Sequence, residues 1–310
     1  MDFLTFVDKF GSEDACVEYL AAKRWPHGTV CDKCGAVGTG RKTAQPRVWF
    51  CADCRRTFSI TAGTRFERTH LPLAVWFAAI WLIGTSSKGV SATVISRQLG
   101  ISYKSAWFLR HRIRALLVDN DETLQGVVEV DETYIGGKRR RDQASKRDDA
   151  DEQPKGRGGT RKLMAVAAVE RGGKAKARKG RTHSERTIAR AVFDWVDPSA
   201  VLVTDELPAY RWIGRRFPAH LRVNHSSGEW SRRDPLSVAC AHTNTVESFN
   251  ATIKRAIAGV WHWFSIKHAD RYLCELAVRW NMRGMSRMQR FDNMLGRMCG
   301  APLNWQSLTA

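Results

Sequence analysis

The chain has 310 residues, with 50 Lys and Arg against 31 Asp and Glu, a net charge of +19 and a hydrophobic share of 43%. The length suggests two or three domains, the apolar share excludes a wholly disordered chain, and the basic excess points to a polyanionic partner, most often nucleic acid. No apolar run reaches the roughly 18 residues a bilayer needs, the acidic start lacks the basic region of a signal peptide, and eight cysteines in a chain this long do not make a disulfide scaffold. A membrane, secreted or fibrous protein is therefore not expected.

Residues 1–26 read as a helical lead-in with Phe3, Phe6 and Phe10 on an apolar face, ending in the turn Trp25-Pro26-His27-Gly28. A small ribbon is expected over 27–64. Cys31, Cys34, Cys51 and Cys54 form two CxxC pairs, and two such knuckles close four thiolates around a tetrahedral Zn²⁺. Four thiolates leave no open position, so this metal is expected to be structural and to supply most of the ribbon's folding energy. Cys16, Cys240, Cys274 and Cys299 stand alone and read as small hydrophobes.

Residues 70–120 read as helical. An aromatic-rich helix over 71–82 is followed by a short helix, the turn residue Gly100, a Ser102 cap and a second helix over 103–117. The pattern is that of a helix-turn-helix. Arg110, Arg112 and Arg114 on its second helix are candidate DNA contacts; an ordinary hairpin with a solvated basic face is the alternative.

From Val127 the period changes to two. The runs 127–137, 163–169 and 200–205 read as strands, 138–162 as a basic insert, 171–181 as a basic turn, and 184–195 as a helix. A short strand is expected over 221–225, and helices over 244–257 and 266–282. The tail, 284–310, is Met- and Arg-rich without a clear pattern. On the first strand Val128 and Val130 point to one face, and Glu129 and Asp131 to the other. Asp205 ends an apolar run, where a carboxylate serves either as a cap or as a metal ligand. On the helix after 244, Glu247 and Lys254 are seven apart, about 20° short of two turns, so they share a face with Asn244. Two strand aspartates and a helix glutamate can converge on two Mg²⁺ ions, hard cations that take oxygen ligands. Such a pair activates a water or 3′-hydroxyl and stabilises the leaving oxygen of a phosphodiester.

Taken together, several stretches resemble transposases of the IS1595 family, close to the ISXO2-like group. They are the ribbon Cys31–Cys54, the run Arg56–Thr64, Val130-Asp131-Glu132-Thr133-Tyr134-Ile135-Gly136-Gly137, Thr204-Asp205 and His242-Thr243-Asn244-Thr245-Val246-Glu247-Ser248-Phe249. The resemblance spans roughly residues 10–285. It implies an α/β catalytic domain of RNase H-like type over 125–283, a mixed sheet flanked by helices, preceded by the small zinc ribbon and the helix-turn-helix segment. It also implies a DDE-type enzyme that cuts insertion-sequence ends and joins them to target DNA. Asp131 and Asp205 would be the first two catalytic acids, ligating Mg²⁺ or Mn²⁺. The third is assigned to Glu247 because its seven-residue step to Lys254 matches the acid-to-lysine spacing of such enzymes; Asn244 and Asn250 compete for the role. Lys254 and Arg255 would hold DNA near the cleaved phosphate. The partners implied are terminal inverted repeats, target DNA and further copies of the chain in a synaptic complex, in the cytoplasm at the bacterial nucleoid.

Trp261 and Trp263 invite base stacking, but twelve tryptophans in the chain favour core or hairpin packing. His225 and Glu229, between the second and third acids, read as a surface loop. The competing function is a non-enzymatic zinc-ribbon and helix-turn-helix DNA-binding protein derived from a transposase; the presence of all three acids favours the enzyme.

Overall fold

The computed structural model describes residues 1–117, 122–136, 162–180, 184–233 and 240–309. The insert expected at 138–162 lies outside them apart from Lys162. The chain forms two compact units, 1–118 with 282–310 and 119–281.

The first unit opens with α1 (Phe3–Phe10) and α2 (Glu13–Arg24), capped by the side chains of Asp2 and Ser12. The ribbon follows as an antiparallel sheet of β1 (Gly40–Lys42), β2 (Val48–Cys51) and β3 (Thr57–Ser59). Helix α3 (Leu73–Thr85) is apolar on nearly every side and correspondingly buried. Ser91 caps α4 (Ala92–Leu99), Gly100 ends it in the left-handed conformation at φ 63°, and Ser102 caps α5 (Tyr103–Leu116).

The second half of α5 corrects the expectation of an exposed basic face. Arg110, Arg112 and Arg114 are only 4%, 5% and 4% exposed, so as placed they do not present DNA contacts. Arg112 donates from Nη2 to the carbonyls of Arg65 (2.6 Å) and Glu67 (2.7 Å), and its guanidinium lies 4.8 Å from the Trp76 ring centroid. It satisfies a turn that would otherwise bury unpaired carbonyls. The exposed part of α5 is its start, at Ser102, Tyr103 and Lys104.

The second unit is built on a five-stranded sheet of order β6-β5-β4-β7-β8. Strand β4 (Val127–Ile135) lies between the antiparallel β5 (Leu163–Glu170) and the parallel β7 (Val201–Thr204). Strand β6 (Ala175–Lys179) pairs antiparallel with β5, and β8 (Ala219–Arg222) parallel with β7. β6 replaces much of the basic turn expected over 171–181. Its Ala-Lys-Ala-Arg-Lys alternation is the period of a strand: Ala175 and Ala177 pack into the apolar core on one face, while Arg178 lies over Trp195 at 4.8 Å. The last sheet strand likewise starts at Ala219, ahead of the expected 221.

One face of the sheet packs Val128, Val130 and Leu202 against α6 (Glu185–Trp195) and α7 (Ala209–Ile213). A short pair, β9 (Arg232–Arg233) and β10 (Cys240–Ala241), leads into α8 (Asn244–Ala256). The other face packs Ala165, Ala167 and Val169 against α8 and α9 (Ala269–Asn281). A π-helical turn, Ile257–Trp261, extends α8.

The tail returns to the first unit. Ser286 and Gln289 form a capping box that starts α10 (Arg287–Gly296), and α11 (Trp305–Thr309) follows. Phe291 of α10 sits 5.3 Å from the rings of Phe6 and Phe77 and 5.4 Å from that of Phe10, at the centre of the unit's aromatic core. Among the described residues, no helix is long and apolar enough to cross a membrane.

Candidate active site and zinc site

The ribbon's knuckles are built by local backbone bonds. Cys31 N–H donates to the Ala36 carbonyl (3.0 Å), and Cys51 N–H to that of Arg56 (2.9 Å). The residue after each second cysteine has a positive φ, 76° at Gly35 and 54° at Arg55, which turns the chain away from the four sulfurs. Those sulfurs lie within 4.8 Å of one another, with Cys31 to Cys54 at 3.8 Å and Cys34 to Cys51 at 3.7 Å. Zn–S bonds of about 2.3 Å at tetrahedral angles put sulfurs roughly 3.8 Å apart, so the set fits zinc. Among the described residues it is the one group of three or more metal-ligating side chains so close together.

The acidic group forms where β4 meets α8. Asp131 and Glu129, two residues apart, share the α8 face of the strand. Glu129 is fully buried, and its Oε2 accepts the first-turn amides of Thr245 (2.8 Å) and Val246 (2.9 Å). Its Oε1 accepts from Thr245 Oγ1 (3.0 Å) and Arg171 Nε (2.6 Å), and His242 Nδ1 lies 3.2 Å away. Thr243 does not cap α8 with its own side chain, so Glu129 acts as an N-cap from the neighbouring strand. Further along both elements, Asn250 Nδ2 donates to Asp131 Oδ2 at 2.8 Å. Two rungs thus fix the register of α8 on β4.

Asp205 follows the end of β7, where its Oδ1 accepts the Leu207 amide at 3.0 Å, a local turn cap. Its charge reaches Asp131. Burial and then the Asp205 charge push the Asp131 carboxyl up to about 6, against the Asn250 hydrogen bond, and Glu247 adds to the rise. The structure therefore brings Asp131, Asp205 and Glu247 into one electrostatic neighbourhood.

Glu247 is half-exposed; its Oε1 accepts from Thr243 Oγ1 (2.7 Å) and lies 3.4 Å from His225 Nε2. Asn244 is exposed at the helix start, whereas Asn250 is buried and touches Asp131. Its Oδ1 has no hydrogen-bond partner among the described residues. Lys254 and Arg255 are exposed on the last turn of α8.

Three residues of this neighbourhood, Glu129, His225 and Glu132, are not singled out by the sequence. Glu129 was noticed only as a neighbour of Asp131. His225 was read as loop, yet it faces Glu247; Glu229 does close its own turn, accepting from the Asn224 amide at 3.1 Å. Glu132, on the opposite face of β4, accepts from the fully buried Tyr210 hydroxyl at 2.7 Å. Burial, with the Asp131 and Asp205 charges, pushes its carboxyl up to about 8 although the Tyr210 bond opposes this. The available signal was an ionisable residue placed within an apolar, period-two run.

Four clustered thiols and a strand-and-helix group of carboxylates, on a strongly basic chain, define a zinc-ribbon protein with a carboxylate-bearing α/β domain. Residues 11–57 match the transposase zinc-ribbon domain, and residues 123–281 the ISXO2-like transposase domain. Over 261 residues, 80% of this chain and 84% of the relative, the sequence is 30% identical to an uncharacterized protein in transposable element ISH50 of Halobacterium salinarum. No solved structure matches. The chain belongs to the IS1595 family of transposases, in its ISXO2-like group, and its four ribbon cysteines form a structural zinc site.

Proposed function

We propose that the chain is a DDE-type DNA transposase of RNase H-like fold that cuts insertion-sequence ends and joins them to target DNA. The observation that carries this reading is the convergence on Asp131 of the charges of Asp205 and Glu247, residues far apart in sequence. The fold assignment is supported by a sheet whose first strand lies between an antiparallel pair and a parallel pair.

The acids suit a hard divalent cation. The two charges that act on Asp131 are both negative, and the buried Asn250 Oδ1 beside it is an acceptor without a partner among the described residues. Asp131, Asp205 and Glu247 would hold Mg²⁺ or Mn²⁺, which when bound supplies activation of a water or 3′-hydroxyl and stabilisation of the leaving oxygen. Asn250 orients the Asp131 carboxylate through its 2.8 Å hydrogen bond. Thr243, with His225 behind it, orients Glu247. Glu129 holds the start of α8 so that Glu247 and Asn250 meet β4 in this register. Lys254 and Arg255 supply positive charge for the DNA backbone on the same helix. Multiple copies of the chain would assemble on paired element ends.

The test is end joining with the element's own pre-cut ends, plasmid target and Mg²⁺. Asp131→Asn, Asp205→Asn and Glu247→Gln are each expected to abolish joined product while DNA binding persists. Asn250→Ala is expected to raise the Mg²⁺ required by about 10–100-fold rather than abolish joining. Joining at the wild-type rate by either aspartate variant would overturn the reading. A wild-type chain that binds DNA but never cuts it would instead be a non-enzymatic DNA-binding protein.

A further inference from the structure

Beyond Asp131, β4 and α8 run on together and end at a cavity of about 560 Å³. Tyr134 contributes from the strand and Lys254 from the helix, with His262, Trp263, Phe264 and Ile266 from the segment after it. Glu247 and Lys254 are seven residue steps apart on the helix, about 10 Å at 1.5 Å per step. That is some three nucleotide steps along a DNA strand at 3.4 Å each.

The segment after α8 is shaped to place one tryptophan in the core and the next in the cavity. Trp261 is buried, edge-on to Tyr272 at 4.8 Å. Trp263 is 77% exposed. Between them His262 adopts φ 57°, ψ −42°, and Trp263 N–H donates to the Trp261 carbonyl at 2.5 Å. This is the rare, strained form of the γ-turn. A π-helical turn immediately precedes it, and both features concentrate at functional sites. Packing alone does not require an exposed indole held on a strained turn.

We propose that this cavity receives a single unpaired nucleotide of the DNA bound at the neighbouring acids, its base against Trp263 and Phe264 and its phosphate near Lys254. The inference rests on the reading of the chain as a DNA-cutting enzyme. The chemistry favours this occupant. A base offers its π face to an indole only when it has left the duplex stack, and aromatic platforms that take such bases accept any of the four. The Lys254 side chain makes no ion pair or hydrogen bond among the described residues, and with Arg255 it offsets the negative end of α8 toward a phosphate. A base drawn out three steps from the carboxylates would part the strands beside the phosphodiester to be cut.

The test compares the full-length protein on two duplexes of the same sequence, one fully paired and one carrying a single unpaired 2-aminopurine, both without Mg²⁺. The wild type is expected to bind the second duplex more tightly and to quench its fluorescence by stacking. Trp263→Ala, at an exposed position where folding is readily checked by thermal melting, is expected to lose the preference by about tenfold or more. Its affinity for the paired duplex is expected to stay unchanged, and Trp263→Phe to retain most of the preference. Equal wild-type affinity for both duplexes would overturn the proposal. So would a Trp263→Ala variant that keeps the preference, including one that merely sediments as a smaller species, which would assign this face to contact between copies of the chain. The two readings separate. A wild type that joins element ends without preferring the unpaired base removes the cavity assignment alone. A wild type that shows the preference, while Asp131→Asn joins ends at the normal rate, removes the catalytic reading alone.

Discussion

Glu129 lies in the middle of a strand with no exposed surface, and two helix amides, a hydroxyl and a guanidinium converge on its two oxygens. Deleting one partner of such a buried set leaves the others unpaired. Glu129→Ala is therefore expected to destabilise the second unit by about 3–5 kcal/mol, read as a lowered urea midpoint. Arg171 would lose its carboxylate, although it keeps the carbonyls of Cys240 (2.7 Å) and His242 (2.8 Å). The role was hidden in the sequence because the amides it caps lie 116 and 117 positions away. Asp131 and Asp205 stand out in the sequence as candidates because each closes or interrupts an apolar run. Asn250 stands out only as a rival to Glu247, since sequence spacing does not show that its side chain meets Asp131 across the strand–helix junction.

At the scale of elements, β8 and the turn after α7 hold His220 in a tight seat. A Cβ on Gly214 would come within 1.9 Å of the His220 ring, so this glycine is needed for close approach rather than for an unusual backbone angle. His220 Nε2 lies 2.9 Å from Thr204 Oγ1, next to Asp205 in the chain. Burial, helped by the Arg222 charge, lowers the His220 pKa to about 4 from 6.5. The folded state therefore binds fewer protons than the unfolded state between these values. The stability held by the neutral ring is fully present above about pH 6.5 and is lost as pH falls toward 4. Urea midpoints at pH 7 and pH 5 are expected to fall further for the wild type than for His220→Asn; an identical drop would refute this. Element type was largely readable here from hydrophobic period. Which face of an element is covered was not, and α5 is the clearest instance. Its arginines carry the composition of a DNA-binding face, yet Arg112 is spent on the carbonyls of a turn more than forty positions earlier.

For the whole molecule, the zinc site was fully legible, because CxxC spacing is itself the geometry of a knuckle. The metal is expected to hold the three short ribbon strands together, since so small a sheet cannot bury a sufficient core. Zinc analysis should find one ion per chain, and chelation should abolish the β1–β3 amide protection while β4–β8 keep theirs. Retention of that protection in metal-free protein would refute the structural role. The tail was not legible as part of the first unit, although Ser286 and Gln289 carry the spacing of a capping box. Nothing in a Met- and Arg-rich run says which distant aromatic cluster Phe291 will join.

That placement of Phe291 bears on synthesis. The second unit is encoded inside the first, so a ribosome delivers Phe291 to the aromatic cluster of Phe6, Phe10 and Phe77 only after the second unit has been made. A message cut short before residue 291 yields a head lacking its keystone ring, and such fragments should be cleared by proteases instead of persisting as competitors of the finished polypeptide.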